Sequence, residues 1–233
     1  MALLFMDDCI KTLQTFKPDS IDLLVTDPPY RLVGGGQTSK GNSLHGILFR
    51  GNELSQKGKL FQHNDIGFSE WLPSVYRVLK PGAHAYIFTN PRNLHSLQTA
   101  AEKAGFTFQN LIVWKKNNKI ACQYYMMSYE LILFLRKGPA KYINNLSTPN
   151  LLSVKNITNG TKLHPTEKPV ELLKILIENS SRRGGIVLDP FMGCGSTGVA
   201  CNETGRHFVG MEIDPEYFEV ALKRVDAEAG ETA

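Results

Sequence analysis

Asp189-Pro190-Phe191-Met192-Gly193-Cys194-Gly195-Ser196-Thr197-Gly198 joins an apolar run, Ile186 to Leu188, to a helix-forming stretch that begins after Ser196. Its glycines have G-x-G-x-x-G spacing, which lets a chain turn sharply from strand to helix and brings backbone close to a ligand. The next apolar run, His207 to Ile213, carries Glu212 near its end, where an acid can accept hydrogen bonds from ribose hydroxyls. The pattern predicts a strand-turn-helix-strand unit of a parallel α/β sheet and a nucleoside cofactor. A nicotinamide cofactor would use the same glycines, and a purely structural turn also fits.

Working outward, apolar and amphipathic segments keep alternating, as expected for a mostly parallel sheet flanked by helices. Leu3 to Met6 and Asp22 to Thr26 read as buried strands with a helix at Cys9 to Thr15 between them. A helix at Phe68 to Leu79 is expected to stop at Lys80-Pro81-Gly82, followed by a strand at His84 to Thr89 and a helix from near Pro91 to Gly105. Phe106 to Lys116 and Ser128 to Lys137 have no long helix between them and suggest an antiparallel hairpin at the sheet edge. Helices at Pro169 to Asn179 and Pro215 to Glu228 complete the pattern.

The 233 residues suit one sizeable domain. No apolar run approaches the roughly 20 residues needed to cross a bilayer, and Asp7 and Asp8 interrupt the opening apolar residues. The expectation is a cytoplasmic protein without a signal peptide. Cys9, Cys122, Cys194 and Cys201 form no C-x-x-C pair and no zinc-ligand pattern, so reduced thiols and no metal are expected. Charge is only mildly basic, 26 Lys and Arg against 22 Asp and Glu. It is concentrated, however. Between Trp114 and Lys168 stand Lys115, Lys116, Lys119, Arg136, Lys137, Lys141, Lys155, Lys162 and Lys168 against Glu130 and Glu167. That stretch fits either a phosphate-facing surface or an ordinary solvated face.

A second motif, Thr26-Asp27-Pro28-Pro29-Tyr30, follows a buried strand, where an open α/β sheet places its ligands. Two prolines withhold two N–H donors, leaving the Asp27 carboxylate and the Pro28 carbonyl as acceptors beside the Tyr30 ring. That set suits a planar ring bearing an amino group. By itself it also fits a rigid turn with a packing tyrosine.

Taken together, these motifs resemble the amino-methylating DNA methyltransferases, in particular the circularly permuted β-type N6-adenine and N4-cytosine group, where the target-base motif precedes the cofactor motif. The resemblance runs from Asp7-Asp8-Cys9 through Asp27-Pro28-Pro29-Tyr30, Leu79-Lys80-Pro81-Gly82 and His164-Pro165-Thr166-Glu167-Lys168-Pro169 to Asp189-Pro190-Phe191 and Gly210-Met211-Glu212-Ile213-Asp214. It implies a Rossmann-like S-adenosylmethionine-dependent fold, with a mostly parallel seven-stranded sheet and an antiparallel edge strand, in one catalytic domain spanning residues 1–233. Residues 31–66 would be a DNA-contacting loop and 138–163 a short target-recognition segment, its shortness suggesting a short or relaxed recognition sequence.

The resemblance also implies roles. Asp27, Pro28, Pro29 and Tyr30 would form the catalytic motif. Asp189, Phe191, Gly193 and Gly195 would line the S-adenosyl-L-methionine site, Glu212 would hold the ribose hydroxyls, and Asp8 would accept from the cofactor's adenine amino group. His164, Thr166 and Lys168 would approach its methionine end, Lys168 either pairing with the carboxylate or simply facing solvent at a helix start. Lys115, Lys116, Asn117, Asn118 and Lys119 would contact nucleic acid, with Asn42 and Asn52 available for base edges. Aspartate at the start of the target-base motif points to adenine N6. N4-cytosine, an RNA substrate, a nicotinamide oxidoreductase and a catalytically silent nucleic-acid-binding module stay open at this point. DNA is the expected partner, and dimers occur in the family. No nuclease motif is visible, so the nuclease of any cognate restriction system would be another chain.

Overall fold

A computed structural model describes residues 1–29, 66–120, 125–157, 163 and 167–231. In chain order the elements are β1 (Ala2–Met6), α1 (Cys9–Thr15), β2 (Ile21–Thr26), α2 (Phe68–Val78), β3 (Leu79–Thr89), α3 (Leu94–Lys103), β4 (Thr107–Ile120) and β5 (Met127–Arg136). They continue as β6 (Leu151–Ser153), α4 (Val170–Ser180), β7 (Ile186–Asp189), α5 (Ser196–Thr204), β8 (His207–Glu212) and α6 (Pro215–Glu231). The strands form one sheet in the order β1-β8-β7-β2-β3-β5-β4-β6.

Period-two alternation along the central strands explains the two packed faces. Leu24, Ala85, Ile87 and Leu133 turn to one side, where α1, α2 and α3 supply Leu13, Trp71, Leu72, Val75 and Leu97. Leu23, Val25, Tyr86, Phe88 and Ile132 turn to the other, against Leu172, Leu176 and Ile177 of α4, Cys201 of α5 and Ala221 of α6. Covered on both faces, these strands read as nearly continuous apolar runs.

The expected hairpin is present, with β4 and β5 antiparallel through pairs such as Leu111 with Leu133 and Trp114 with Glu130. Two features of the expectation change. Among the described residues the sheet has eight strands, because the short β6 adds outside β4 in parallel through Val113, Trp114 and Lys115. The antiparallel strand is therefore β5, between β3 and β4, and not the edge. Three residues in a polar, turn-rich stretch carry too little periodicity to announce a strand; Leu152 and Val154 are buried, and the Trp114 indole N–H donates to the Val154 carbonyl at 2.9 Å.

Other boundaries move for local reasons. Helix α2 ends at Val78 and β3 begins at once, running through Lys80-Pro81-Gly82, so the proline and glycine lie inside the start of the strand. Gly82 has φ +79° and its N–H donates to the Lys137 carbonyl at 2.6 Å. Near Pro91, a turn in which the Asn90 carboxamide oxygen accepts from the N–H groups of Arg92 and Asn93 delays α3 to Leu94. Within residues 138–163, Asn144 is tied to the end of α4, its N–H donating to the Asn179 carbonyl at 2.7 Å. The expected loop at 31–66 lies outside the described residues except for Ile66.

Connections from β2 lead to β3 on one side, while those from β7 lead to β8 on the other. Neighbouring β2 and β7 thus flank the point where the strand order reverses, which is where open α/β sheets leave a crevice beyond their carboxyl ends.

Candidate active site

A cavity of about 300 Å³ occupies that crevice. Asp27, Pro28 and Pro29 enter its wall after β2, Asp189 from the last position of β7, and Pro190 to Cys194 after it. Glu212 and Asp214 come from the end of β8, Asp7 and Asp8 from between β1 and α1, and Glu167 and Lys168 from the approach to α4. The two motifs, far apart in sequence, meet here. Tyr30, His164 and Thr166 lie outside the described residues, as do Asn42 and Asn52.

Asp189 holds the two strand ends and the glycine turn together. The Thr26 hydroxyl donates to its Oδ1 at 2.7 Å, the Phe191 N–H donates to the same oxygen at 3.1 Å, and the Thr197 hydroxyl donates to Oδ2 at 2.7 Å. Burial pushes this carboxyl up to about 6 against those three hydrogen bonds, with the nearby Asp27 charge adding to the rise. Asp189 fixes the loop; its oxygens are engaged by protein donors.

The glycines divide the work. Gly193, at φ +52°, lines the cavity and donates its N–H to Glu212 Oε2 at 2.9 Å, while Glu212 Oε1 accepts from the Asp214 N–H at 2.9 Å. Each Glu212 oxygen retains acceptor capacity, which ribose hydroxyls could use. Gly195, at φ +80°, is not among the described cavity-lining residues. A Cβ there would lie 3.1 Å from Ala221 atoms, so its work is the turn and the close approach of α6. Phe191 lines the cavity and meets Trp71 edge to face, with ring centroids 5.2 Å apart.

Asp8 caps α1, its Oδ1 accepting from the N–H groups of Ile10 at 2.8 Å and Lys11 at 3.2 Å. The cap fixes the carboxylate at the cavity margin. With Asp7, Glu212 and Asp214 it makes this end of the cavity acidic, a suitable environment for hydroxyl and amino donors and for a cationic ligand.

Behind Asp27 stands a chain of charges, buried at Lys168 and half-buried at its other members. Lys168 is 8% exposed, which excludes the solvent-facing alternative; it pairs with Asp27 Oδ2 and lies 3.5 Å from Glu130 Oε2. Lys116 pairs with Glu130 Oε1 and sits 4.8 Å from the Trp114 ring centroid. Burial raises the Asp27 carboxyl and Lys168 opposes that rise; burial also pushes Glu130 upward, but Lys168 and Lys116 together bring it net below the usual glutamate value. Asp27 Oδ1 is buried without a hydrogen-bond partner among the described residues.

The basic stretch on β4 splits by strand alternation. Lys115, Asn117 and Lys119 are exposed, whereas Lys116 turns inward to Glu130, so it is not part of an outward-facing basic surface. Asn118 is half-buried; its carboxamide oxygen accepts from the Asn156 side chain, and that of Asn117 accepts from the Asn156 N–H.

Sequence reasoning missed Glu130. Its signal was present, since a lone carboxylate inside the apolar strand Ser128 to Lys137 requires a buried partner. Arg224 was also missed. It pairs with Glu167 at 3.0 Å and donates to the Cys194 carbonyl at 3.1 Å, joining the approach to α4 to the glycine turn.

Comparison with known proteins extends over nearly the whole chain. A family profile described as DNA methylase matches residues 21–223. Type II methyltransferase M2.DpnII of Streptococcus pneumoniae is 32% identical over 97% of this chain and 90% of its own length. Type II methyltransferase M.HpaI of Haemophilus parainfluenzae is 31% identical over 97% of this chain and 74% of its own. Among solved structures, the M1.HpyAVI–SAM complex superposes with a TM-score of 0.71 at 26% identity, covering 96% of this chain and all of that one. The cytosine-N4-specific PvuII DNA methyltransferase has a TM-score of 0.72 at 21% identity, a likeness of fold, covering 96% of this chain and 86% of that one.

Proposed function

Since the chain belongs to the DNA methylase family, and is accordingly an S-adenosylmethionine-dependent DNA methyltransferase, we propose that it methylates N6 of a flipped-out adenine at the Asp27 end of the cavity. The observation carrying this reading is Asp27. One of its oxygens is held by Lys168 and the other, Oδ1, is buried at the cavity wall without a partner among the described residues, an acceptor suited to an N–H donor.

The residues present fit the cofactor. The acidic end, with Glu212 fixed by two backbone N–H groups, suits a ribose and a cation, and the Phe191 and Met192 side chains give the turn an apolar surface for a purine. When bound, S-adenosylmethionine supplies an electrophilic methyl group on a sulfonium.

What this chain adds concerns the nucleophile. The lone pair of an aromatic amine is delocalised into its ring. Asp27 Oδ1 and the Pro28 carbonyl, accepting its two hydrogens, would favour a pyramidal nitrogen whose lone pair points at the methyl group. Fixed acceptors and in-line positioning then lower the barrier. Asp27 would orient the amine and stabilise charge developing on it; as the N–C bond forms the sulfonium C–S bond would break to leave a neutral thioether, and the proton then shed by the methylated nitrogen would pass to water. Duplex DNA would present this amine only after flipping, at a cost of a few kcal/mol, which Tyr30 would offset by stacking.

Aspartate at the head of the motif supports adenine over cytosine. Exposed Lys115, Asn117 and Lys119 support a DNA-facing role for that strand, with residues 31–66 and 138–163 sharing recognition. The type II names of the relatives support a place in a restriction-modification system whose nuclease is a separate chain, and a homodimer is the family expectation. No helix among the described residues is long and apolar enough to cross a membrane, consistent with a cytoplasmic site of action. The test is methyl transfer to unmethylated DNA followed by mass spectrometry of the nucleosides. N6-methyladenine is expected, and N4-methylcytosine would overturn the base assignment.

A further inference from the structure

The charge chain behind Asp27 is larger than the orientation of one carboxylate requires. It alternates in sign and crosses four elements: Asp27 after β2, Lys168 before α4, Glu130 on β5 and Lys116 on β4. The Phe88 ring of β3 lies 5.1 Å from Lys168 Nζ, and Asp189 at the end of β7 is near enough for its carboxyl to feel the Asp27 charge. Side-chain exposures of 9% for Lys168 and 9% for Lys116 place both cations away from bulk water. Burying ions costs several kcal/mol each unless each is closely compensated, so an apolar set would be the cheaper way to fill this space.

We propose that Glu130 is a positioning residue for methyl transfer, fixing Lys168 against Asp27 Oδ2 so that Oδ1 stays turned to the target amine, with Lys116 fixing Glu130 in turn. The inference rests on the methyltransferase reading and deepens it. Glu130 touches neither substrate nor cofactor; it acts through Lys168. Opposing pulls from Asp27 and Glu130 determine where the ammonium sits, and the ammonium determines which Asp27 oxygen is engaged. Displacements of about 1 Å at a reacting group cost about 100-fold in rate, so loosening this chain has a kinetic signature without new contacts at the cofactor.

The experiment is a double-mutant cycle on the full chain, using Glu130→Gln, Lys168→Met and the double variant, read by single-turnover methyl transfer to DNA. Equilibrium binding of S-adenosylmethionine is measured in parallel. Glu130→Gln is expected to lower the rate about 10- to 100-fold, with cofactor affinity within about twofold of wild type. In the Lys168→Met background the same substitution should change the rate less than about twofold, because the path is already cut. The acidic limb of the Lys168→Met rate profile should lie at higher pH than that of wild type, since the burial of Asp27 and the Glu130 charge are then opposed only by the more distant Lys116. Glu130→Asp should recover part of the rate.

A wild-type rate in Glu130→Gln, or an equal fold loss in both backgrounds, overturns the proposal while leaving the methyltransferase reading standing. A wild-type chain that transfers no methyl to DNA overturns that reading instead. If Glu130→Gln does not fold, Lys116→Gln replaces it in the cycle with the same expected non-additivity, and additivity there is equally fatal.

Discussion

Replacing Asp189 with asparagine should remove part of the pH dependence of stability. Burial pushes this carboxyl from 3.8 to about 6 in the fold, although the Thr26 and Thr197 hydroxyls and the Phe191 N–H donate to it. The folded protein therefore holds the Asp189 proton more tightly than the unfolded chain does. Between about pH 4 and 6 the native state binds more protons at this site, so its contribution to stability falls as pH rises through that window. About two pH units at about 1.4 kcal/mol each make the ionised form cost the fold about 3 kcal/mol above pH 6. Asparagine keeps the shape without the charge, and the rearranged hydrogen bonds add an offset that does not depend on pH. Urea unfolding of both proteins at pH 4, 5, 6 and 7 measures the difference directly. Relative to wild type, Asp189→Asn should gain about 2 kcal/mol between pH 4 and 7. A difference that stays flat across the series, or one that grows toward acid, would refute the reasoning.

Three further outcomes follow from particular contacts. Gly198→Ala places a Cβ 2.6 Å from a Val225 methyl and 2.8 Å from the Phe208 ring; overpacking should cost about 1–3 kcal/mol in denaturant unfolding, with cofactor affinity little altered. Arg224→Met leaves the Glu167 carboxylate buried without its guanidinium; stability should fall by about 3–5 kcal/mol, and the KM for S-adenosylmethionine should rise more than kcat falls, as steady-state kinetics would reveal. Tyr30→Phe should keep methyl transfer and Tyr30→Ala should lose about 1–3 kcal/mol of base stacking; equal damage from both in a rate comparison would remove stacking from the account.

Asp189 and Asp27 illustrate what was readable from residues alone. Strand periodicity on both sides of each motif, and the glycine spacing after Asp189, carried the parallel sheet and the meeting of the two motifs at its carboxyl ends. Family likeness supplied the rest of the cofactor site. Local signals could not carry the partner of a side chain, because that depends on which strands become neighbours. Lys168 therefore read as a cofactor ligand or a solvated residue, when β5 brings Glu130 beside it and β2 brings Asp27. Lys116 read as part of a basic patch because charge counting ignores the period of two that turns it inward. The strand β6 escaped because three residues hold barely more than one period of alternation, and its place is fixed by Trp114 and the β4 edge.

The most direct test of the central claim compares single-turnover methyl transfer to DNA by the wild type and Asp27→Ala, with S-adenosylmethionine binding measured on both. Loss of a preorganised, buried acceptor predicts a fall of about 100- to 1,000-fold in rate with cofactor binding retained. Transfer to adenine at the wild-type rate by Asp27→Ala would contradict the account.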